Sequence, residues 1–171
     1  MPASADSTRP LVWVGMGSNL GDRLKWLQFG LAGLERLGQI QRLSDIYETE
    51  PWGRSDQPPF LNAVCSLTAK IDDPEICLSA FKNLETAAGR GSPGTKWGPR
   101  TLDLDLLFWG SLIHSSDLLS IPHPQLHLRR FVLVPLLQIG PDLIPPGAGL
   151  TVQQMLEACP DQGWVRFWGK F

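Results

Sequence analysis

The chain has 171 residues, 43% of them hydrophobic and 19% charged, a composition typical of a folded globular protein. Its net charge of −2 gives no global attraction to nucleic acid or anionic membranes, so an anion site has to be local. We predict a single domain over residues 10–171 after a disordered leader at 1–9. The three cysteines lack metal-binding spacing and no apolar run or signal pattern suggests a membrane, so we expect a reduced, cytoplasmic protein.

The first half of the chain predicts a strand, a helix and two more strands. Residues 11–17 read as a buried strand that ends in glycines, and the leucines that follow recur at helical spacing. Asn19 or Asp22 is a candidate cap for this helix. Residues 40–47 and 60–68 are predicted strands on either side of a loop rich in Pro, Gly and Asp.

A second helix and a fourth strand complete the pattern. Asp73 followed by Pro74 is typical of a helix start, and the predicted apolar stripe of this helix consists of Ile76, Ala80, Leu84 and Ala88. The order strand, helix, strand, strand, helix, strand is the βαββαβ arrangement of ferredoxin-like α+β sandwiches, an α/β layering of helices on one sheet. Short C-terminal helices are predicted at residues 131–139 and 151–158.

Two aspartates in the last of these strands carry the strongest chemical signal. Asp103 and Asp105 are two residues apart, so both project from one strand face while the alternating leucines take the other. Carboxylates so placed repel each other unless a cation lies between them, and Mg²⁺ accepts one or two carboxylates plus phosphates and water. Arg100, just before the strand, offers planar donors for phosphate. The alternative is the solvent face of an edge strand; the Gly-Pro-Arg turn favours phosphoryl transfer from a nucleotide.

Two glycine-rich segments resemble nucleotide motifs without matching them. Residues 15–21 have the last glycine of a dinucleotide fingerprint one position late, and we predict a tight strand-to-helix turn instead. Residues 89–96 mimic a P-loop with Lys and Thr in the wrong order, and Pro99 prevents the helix that should follow. We predict that residues 89–98 form either a mobile loop that brings Arg90 over phosphates or a flexible connection.

Aromatic side chains and an amide are expected to bind a flat ligand. Phe60 and Asn62 share a strand face, which places an aromatic ring beside a group that both donates and accepts. This arrangement suits a heterocycle with amide-like edges, and ordinary core packing is the alternative. His123, held between two prolines, is a candidate contact to phosphate or ribose.

These motifs occur together in one known family. The relevant segments are Gly-Ser-Asn-Leu-Gly at 17–21, Tyr-Glu-Thr and Pro-Trp-Gly at 47–53, Gln-Pro-Pro-Phe-Leu-Asn at 57–62, Arg-x-x-Asp-x-Asp at 100–105 and Pro-His-Pro at 122–124. With them the chain resembles the 6-hydroxymethyl-7,8-dihydropterin pyrophosphokinase family of folate biosynthesis over about residues 11–145. The Arg-x-x-Asp-x-Asp signature is specific in this company.

The resemblance implies that the diphosphate of ATP is transferred to the hydroxymethyl oxygen of the pterin, leaving AMP. It implies that the chain binds ATP, the pterin and two Mg²⁺ ions. We further expect a monomer with no nucleic-acid or membrane partner. The implied catalytic residues are Arg90, Arg100, Asp103 and Asp105, of which the two aspartates hold the metals. The implied ATP contacts are Glu85, Arg90, Trp97, Arg100, Leu106, His123 and Arg129. The implied pterin contacts are Thr49, Pro51, Trp52, Phe60, Asn62 and Phe131.

The chain departs from the family pattern at three positions near the nucleotide, Ser92, Lys82 and Pro124. Two other classes of protein compete with the enzyme. A regulatory ferredoxin-like module would explain the sheet but not the clustered aspartates and arginines. A nucleic-acid-binding domain would need an aromatic-basic motif on its sheet, which the sequence lacks.

Overall fold

An antiparallel sheet with helices packed on it makes up the computed structural model, which describes residues 9–89 and 98–171. The strands are β1 Leu11–Ser18, β2 Gly38–Leu43, β3 Ile46–Thr49, β4 Phe60–Ala69, β5 Asp103–Trp109, β6 His114–Ser115, β7 Ser120–Ile121 and β8 Val165–Gly169. The helices are α1 Arg23–Leu37, α2 Pro74–Ala87, α3 Arg130–Ile139 and α4 Val152–Glu157, with a 3₁₀ turn at Leu126–Leu128.

The main sheet has the order β5-β1-β4-β3-β8. β3 pairs with the N-terminal part of β4, and β2 pairs with its C-terminal part. β1 lies between β4 and β5 and is antiparallel to both. With α1 and α2 as the two crossovers, this is the ferredoxin-like βαββαβ topology, as predicted. α1 packs on β1 and β4, α2 packs on β5, and α3 packs on β4 and β3. The two C-terminal helices are also where the sequence predicts them.

Local signals set the starts of both crossover helices. Asp22 caps α1, where its carboxylate accepts the Lys25 N–H at 3.1 Å. Asp73 caps α2 through the N–H groups of Glu75 and Ile76, and Pro74 occupies the first helical position. Of the two cap candidates for α1, Asp22 is therefore the cap.

The predicted apolar stripe of α2 is wrong at its start and correct at its end, where Leu84 packs against the core and Ala88 is buried. Ile76 is 59% exposed, and the buried positions of the helix are Cys77, Phe81 and Glu85. Apolar residues occur on two adjacent lines of this helix, so spacing alone does not choose between them. The line that faces the sheet includes a carboxylate because that carboxylate binds the backbone of β5.

The predicted strand at residues 40–47 is split in two. Ser44 interrupts it, since its hydroxyl accepts the Val64 N–H at 2.9 Å in place of a backbone carbonyl. β8 is not predicted from the sequence; it is an edge strand next to β3 that exposes Phe167 and Trp168. An edge strand open to solvent on both faces has no apolar alternation to detect.

The remaining predictions concern the termini and cysteines. Arg9, which was assigned to the leader, donates to the Ala69 carbonyl at 3.4 Å, while residues 1–8 lie outside the described residues. Cys65, Cys77 and Cys159 are free and buried, as expected of apolar core residues. Burial raises the pKa of Cys65 to about 12. None of the helices in residues 9–89 and 98–171 is long and apolar enough to cross a membrane.

Candidate active site

The carboxylates of Asp103 and Asp105 lie on one face of β5, beside a strip of β1 that has no side chains. Asp103 pairs with Gly17 and Asp105 pairs with Gly15 in the sheet register. The alternate residues of β5 are buried on the other face, as the period of two predicts. Because the neighbouring strand carries only glycine at these positions, both carboxylates remain accessible, at 22% and 27% of their side-chain surface.

Each aspartate is paired with an arginine. The Arg100 guanidinium donates to Asp103, and Arg129 Nη1 donates to Asp105 Oδ2 at 2.9 Å. Arg129 is only 7% exposed and also donates to Gln125 Oε1 at 2.9 Å. Both positive groups are thus already held next to the carboxylates, within reach of an anion that enters the site.

The pKa of Asp105 is raised from its usual value to about 6. Desolvation of this partly buried carboxylate is the main cause and repulsion from Asp103 the second, while the cationic groups nearby, chiefly Arg129, act in the opposite direction. A carboxylate that is costly to ionise favours added positive charge beside it. The electrostatics of the pair therefore suit a cation.

His123 is neutral and presents a hydrogen-bond donor to the same space. Burial and the repulsion of Arg129 lower the pKa of His123 to about 4. Its Nδ1 accepts the Gln125 N–H at 3.1 Å, so the ring hydrogen of the neutral form is on Nε2, 3.4 Å from Arg129 Nη1. Two donors side by side with one of them charged suit a phosphate oxygen.

Glu85 supports β5, the strand that carries Asp103 and Asp105, through its backbone. This residue of α2 is 1% exposed, and its Oε1 accepts the N–H of Leu104, the residue between the two aspartates, at 2.8 Å. Its Oε2 lies 3.3 Å from Lys82 Nζ. The carboxylate thereby fixes the backbone on which Asp103 and Asp105 are mounted.

A cavity of about 200 Å³ opens next to the carboxylates. It is lined by Thr49, Glu50, Trp52, Phe60, Asn62, Gly98, Arg100, Asp103, Asp105, Arg129 and Phe131. Its walls combine aromatic rings with an amide, the combination that the sequence predicts for a flat heterocycle.

Asn62 is held in place on this wall. Its Nδ2 donates to Thr49 Oγ1 at 2.7 Å, and a methyl group at Gly17 would lie only 2.8 Å from its Oδ1. The predicted tight turn at residues 15–21 is therefore correct at Gly21, where φ is +70°, and wrong at Gly15 and Gly17, which lie within β1. Of the two, Gly17 makes room for Asn62, whereas a methyl group at Gly15 would meet its neighbours only at ordinary contact distance.

Arg129 connects the carboxylates to the aromatic wall. Its guanidinium carbon lies 5.1 Å from the centre of the Trp52 ring and 5.7 Å from that of Phe131, within cation–π distance of both. The two rings are tilted by 53° with centres 6.4 Å apart. One side chain thus contacts both the charged part and the flat part of the cavity.

Asn19 joins Arg100 to the loop before β4, and the sequence does not predict it as a site residue. Its Oδ1 accepts the Arg100 N–H at 2.8 Å, and its own N–H donates to the Arg100 carbonyl at 3.0 Å. Its Nδ2 donates to the Pro58 carbonyl and to Gln57 Oε1, both at 3.0 Å. The Gly-Ser-Asn-Leu-Gly motif at 17–21 contains this residue, but the sequence offers Asn19 only as a candidate helix cap and as part of the family resemblance.

A second cleft, of about 280 Å³, lies on the other side of Asp105. It is lined by Leu78, Lys82, Leu104, Asp105, Leu106, Ser116, Asp117, Leu118, Leu119, Ser120, His123 and Pro124. Two of the three departures from the family pattern, Lys82 and Pro124, lie here. Asp105 lines both cavities.

The structure brings most of the predicted site residues together. The first cavity contains Thr49, Trp52, Phe60, Asn62, Arg100, Asp103, Asp105, Arg129 and Phe131, and the second contains Leu106 and His123. Pro51 belongs to the same loop, but its neighbours Glu50 and Trp52 form the wall. Glu85 lies beneath the strand and not on a cavity surface, so a direct ATP contact stays a prediction. The predictions for Arg90, Ser92, Trp97 and the loop around them fall outside the described residues.

The protein is of the ferredoxin-like α+β class, and its sheet carries a cluster of carboxylates and arginines that lines two cavities. The chain belongs to the 7,8-dihydro-6-hydroxymethylpterin-pyrophosphokinase (HPPK) family, whose model matches residues 13–141. The 2-amino-4-hydroxy-6-hydroxymethyldihydropteridine pyrophosphokinase of Pseudomonas aeruginosa is 37% identical over 92% of this chain and 97% of its own length. The enzyme of that name from Synechocystis is 40% identical over 84% of this chain and 73% of its own.

Longer relatives contain the same region as one part. The folic acid synthesis protein fol1 of Schizosaccharomyces pombe is 37% identical over 94% of this chain, which spans 22% of that protein. The chain thus covers about a fifth of such relatives. A crystal structure of Plasmodium falciparum wild-type HPPK-DHPS with STZ-DHP superimposes with a TM-score of 0.70 at 15% identity, over 90% of this chain and 44% of that one. At this identity the likeness supports the fold alone.

Proposed function

We propose that the chain transfers the diphosphate of ATP to the hydroxymethyl group of 6-hydroxymethyl-7,8-dihydropterin, giving the pterin diphosphate and AMP. The observation that carries the proposal is the position of Asp105, which lines both the flat aromatic cavity and the second cleft. Two substrates bound on either side of it would meet at the carboxylates. Family membership supports the same reaction.

The donor set fits Mg²⁺. Within the described ranges, no group of three or more His, Cys, Asp or Glu side chains is placed to hold a metal. Asp103 and Asp105 would therefore supply the protein ligands, with phosphate oxygens and water completing the shell, which is the usual environment of this ion. Two such ions, held by these aspartates, would neutralise charge on the triphosphate and so favour attack at phosphorus.

The residues of the chain bind and orient the two substrates. Phe60 and Phe131 offer ring faces to the pterin, and Asn62 offers its amide to the pterin edge. Arg100, Arg129 and His123 direct N–H groups at the phosphates. Arg90 and Trp97 complete the proposed ATP site from outside the described residues.

Positioning accounts for most of the proposed chemistry. The hydroxymethyl oxygen bonds to the β-phosphorus while the bond from that phosphorus to the α,β-bridging oxygen breaks, and AMP leaves with this oxygen. The hydroxyl proton passes to a carboxylate of the pair or to water. Such in-line transfer needs charge neutralisation and alignment more than covalent participation by the protein.

The test is AMP formation from ATP, Mg²⁺ and the hydroxymethyl pterin. Wild-type protein should form AMP in proportion to pterin diphosphate, while Asp103→Asn and Asp105→Asn should lose at least about a hundredfold in turnover, the scale of a lost transition-state contact. Asp142→Asn, an exposed carboxylate in a turn, is the matched control and should keep wild-type turnover.

Other outcomes would support other functions. Binding of ATP without AMP formation would indicate the regulatory module instead. Near-normal turnover in either aspartate variant at saturating Mg²⁺ would contradict the metal assignment. A single domain over residues 10–171, a monomeric state and a cytoplasmic location stay predictions, the second of which sedimentation in solution can check.

A further inference from the structure

One wall of the second cleft is a small hairpin. Its strands β6 and β7 have two residues each, and the turn between them faces Leu78 and Lys82 of α2 across the cleft. At its C-terminal end the hairpin is fixed to β5, because the His123 N–H donates to the Leu107 carbonyl at 2.7 Å. Two-residue strands contribute few ladder bonds, so the position of the turn depends on other contacts.

A single hydroxyl closes the turn. Ser116 Oγ accepts the N–H groups of Leu119 at 3.2 Å and Leu118 at 3.3 Å. The Ser116 N–H donates to the Leu119 carbonyl at 2.9 Å. Leu118, held in this way, is 74% exposed and lines the cleft.

The turn is tied to α2 through a carboxylate. Glu75 Oε1 accepts the Ser116 hydroxyl at 2.7 Å and lies 3.1 Å from His114 Nε2. The hydrogen bond from Ser116, followed by the one with His114, lowers the pKa of Glu75, so the group is ionised at neutral pH. Glu75 is on the first turn of the helix that also carries Leu78 and Lys82. One contact thus joins the two walls of the cleft.

We propose that Glu75, His114 and Ser116, here termed the Glu75 cluster, are positioning residues that set the spacing of the cleft for the nucleoside part of ATP. This inference rests on the proposed function and deepens it. Near the turn the cleft is lined by Leu118 and Leu119 together with the carboxylate of Asp117, and elsewhere by Asp105 and His123. Apolar contact suits the base, and the Asp117 carboxylate disfavours a phosphate at that end. The nucleoside therefore lies against the wall that the cluster holds, and the phosphates lie at the other end, next to His123.

The experiment compares two ligands that share their phosphates. A non-hydrolysable ATP analogue and inorganic tripolyphosphate, each with Mg²⁺, are titrated into wild-type protein, Glu75→Ala, Ser116→Ala and the double variant. The dissociation constant of the analogue should rise about three- to tenfold, the size expected for one net hydrogen bond, and that of tripolyphosphate should stay within about twofold. The double variant should lose no more than the more affected single variant.

Asp72→Ala is the matched control, since it removes an exposed carboxylate just ahead of the same helix, and it should bind the analogue as wild type does. If Glu75→Ala fails to fold, Ser116→Ala, which keeps the helix charge, decides alone. Equal weakening of both ligands, or unchanged analogue binding, would overturn the role of the cluster while leaving the proposed function intact. Wild-type protein that binds no ATP analogue would overturn the proposed function itself.

Discussion

Asn19 joins two segments that are remote in sequence. Its amide bonds both the backbone of Arg100, 81 residues away, and the loop before β4. We expect Asn19→Ala to lower the free energy of unfolding by about 1–3 kcal/mol, because the partly buried backbone of Arg100 and the loop before β4 lose the hydrogen bonds of a buried amide. Urea titration measures this, with the exposed Asn83→Ala as control. Equal stability of the two variants would show that the amide is dispensable.

Asp105 makes stability depend on pH in an unusual direction. Since its pKa is raised from 3.8 to about 6 in the folded protein, the fold favours the protonated form, and stability decreases as pH rises through this interval. In EDTA, the free energy of unfolding of Asp105→Asn should exceed that of wild type by about 1–3 kcal/mol near pH 8 and match it near pH 4. A difference that does not change with pH would contradict the raised pKa.

Among the elements, β1 shows that two similar glycines have different tasks. A methyl group at Gly17 would lie 2.8 Å from Asn62 Oδ1, whereas one at Gly15 would meet its neighbours at 3.5 Å or more. Gly17→Ala should therefore displace Asn62 and weaken pterin binding about tenfold, the effect of losing roughly one good polar contact. Gly15→Ala should bind the pterin normally. Calorimetric titration of both variants checks this, and equal affinities would refute it.

α2 supports β5 through one buried carboxylate. Glu85→Ala would leave the Leu104 N–H without this acceptor, at a cost of about 1–3 kcal/mol in the free energy of unfolding. Glu85→Gln keeps an acceptor oxygen of the same reach and should recover most of the loss. Chemical denaturation distinguishes them; a Gln variant as unstable as the Ala variant would indicate that the negative charge matters instead.

The elements also show where sequence reasoning succeeds and where it stops. Periods of two placed Asp103 with Asp105, and Phe60 with Asn62, because a strand alternates its faces whatever surrounds it. The partners of Asn19 and Glu85 depend on tertiary contacts across the fold, which no local pattern contains. The start of the α2 stripe was misplaced because apolar residues lie on both sides of the line of buried residues on this helix. β8 was missed because an exposed edge strand has no alternation of apolar and polar residues.

At the scale of the whole molecule, the charges of the site decide what is admitted. In the structure Arg129 is bound to Asp105 and Arg100 to Asp103. A cation that arrives alone competes with an arginine for a carboxylate, and an anion that arrives alone competes with a carboxylate for an arginine, so each weakens an existing ion pair. A ligand that carries both charges offers its cation to the carboxylate and its anionic group to the arginine of each pair.

Magnesium and nucleotide should therefore load as one. The melting temperature should rise more with the Mg²⁺–ATP-analogue complex than the sum of the rises with Mg²⁺ alone and with the analogue in EDTA. Additive rises would refute this coupling. The paired charges then select the form of the substrate. Nucleotide without its metal ion and metal ion without its nucleotide both bind weakly, because the side chains that bind the complex are paired with each other until it arrives.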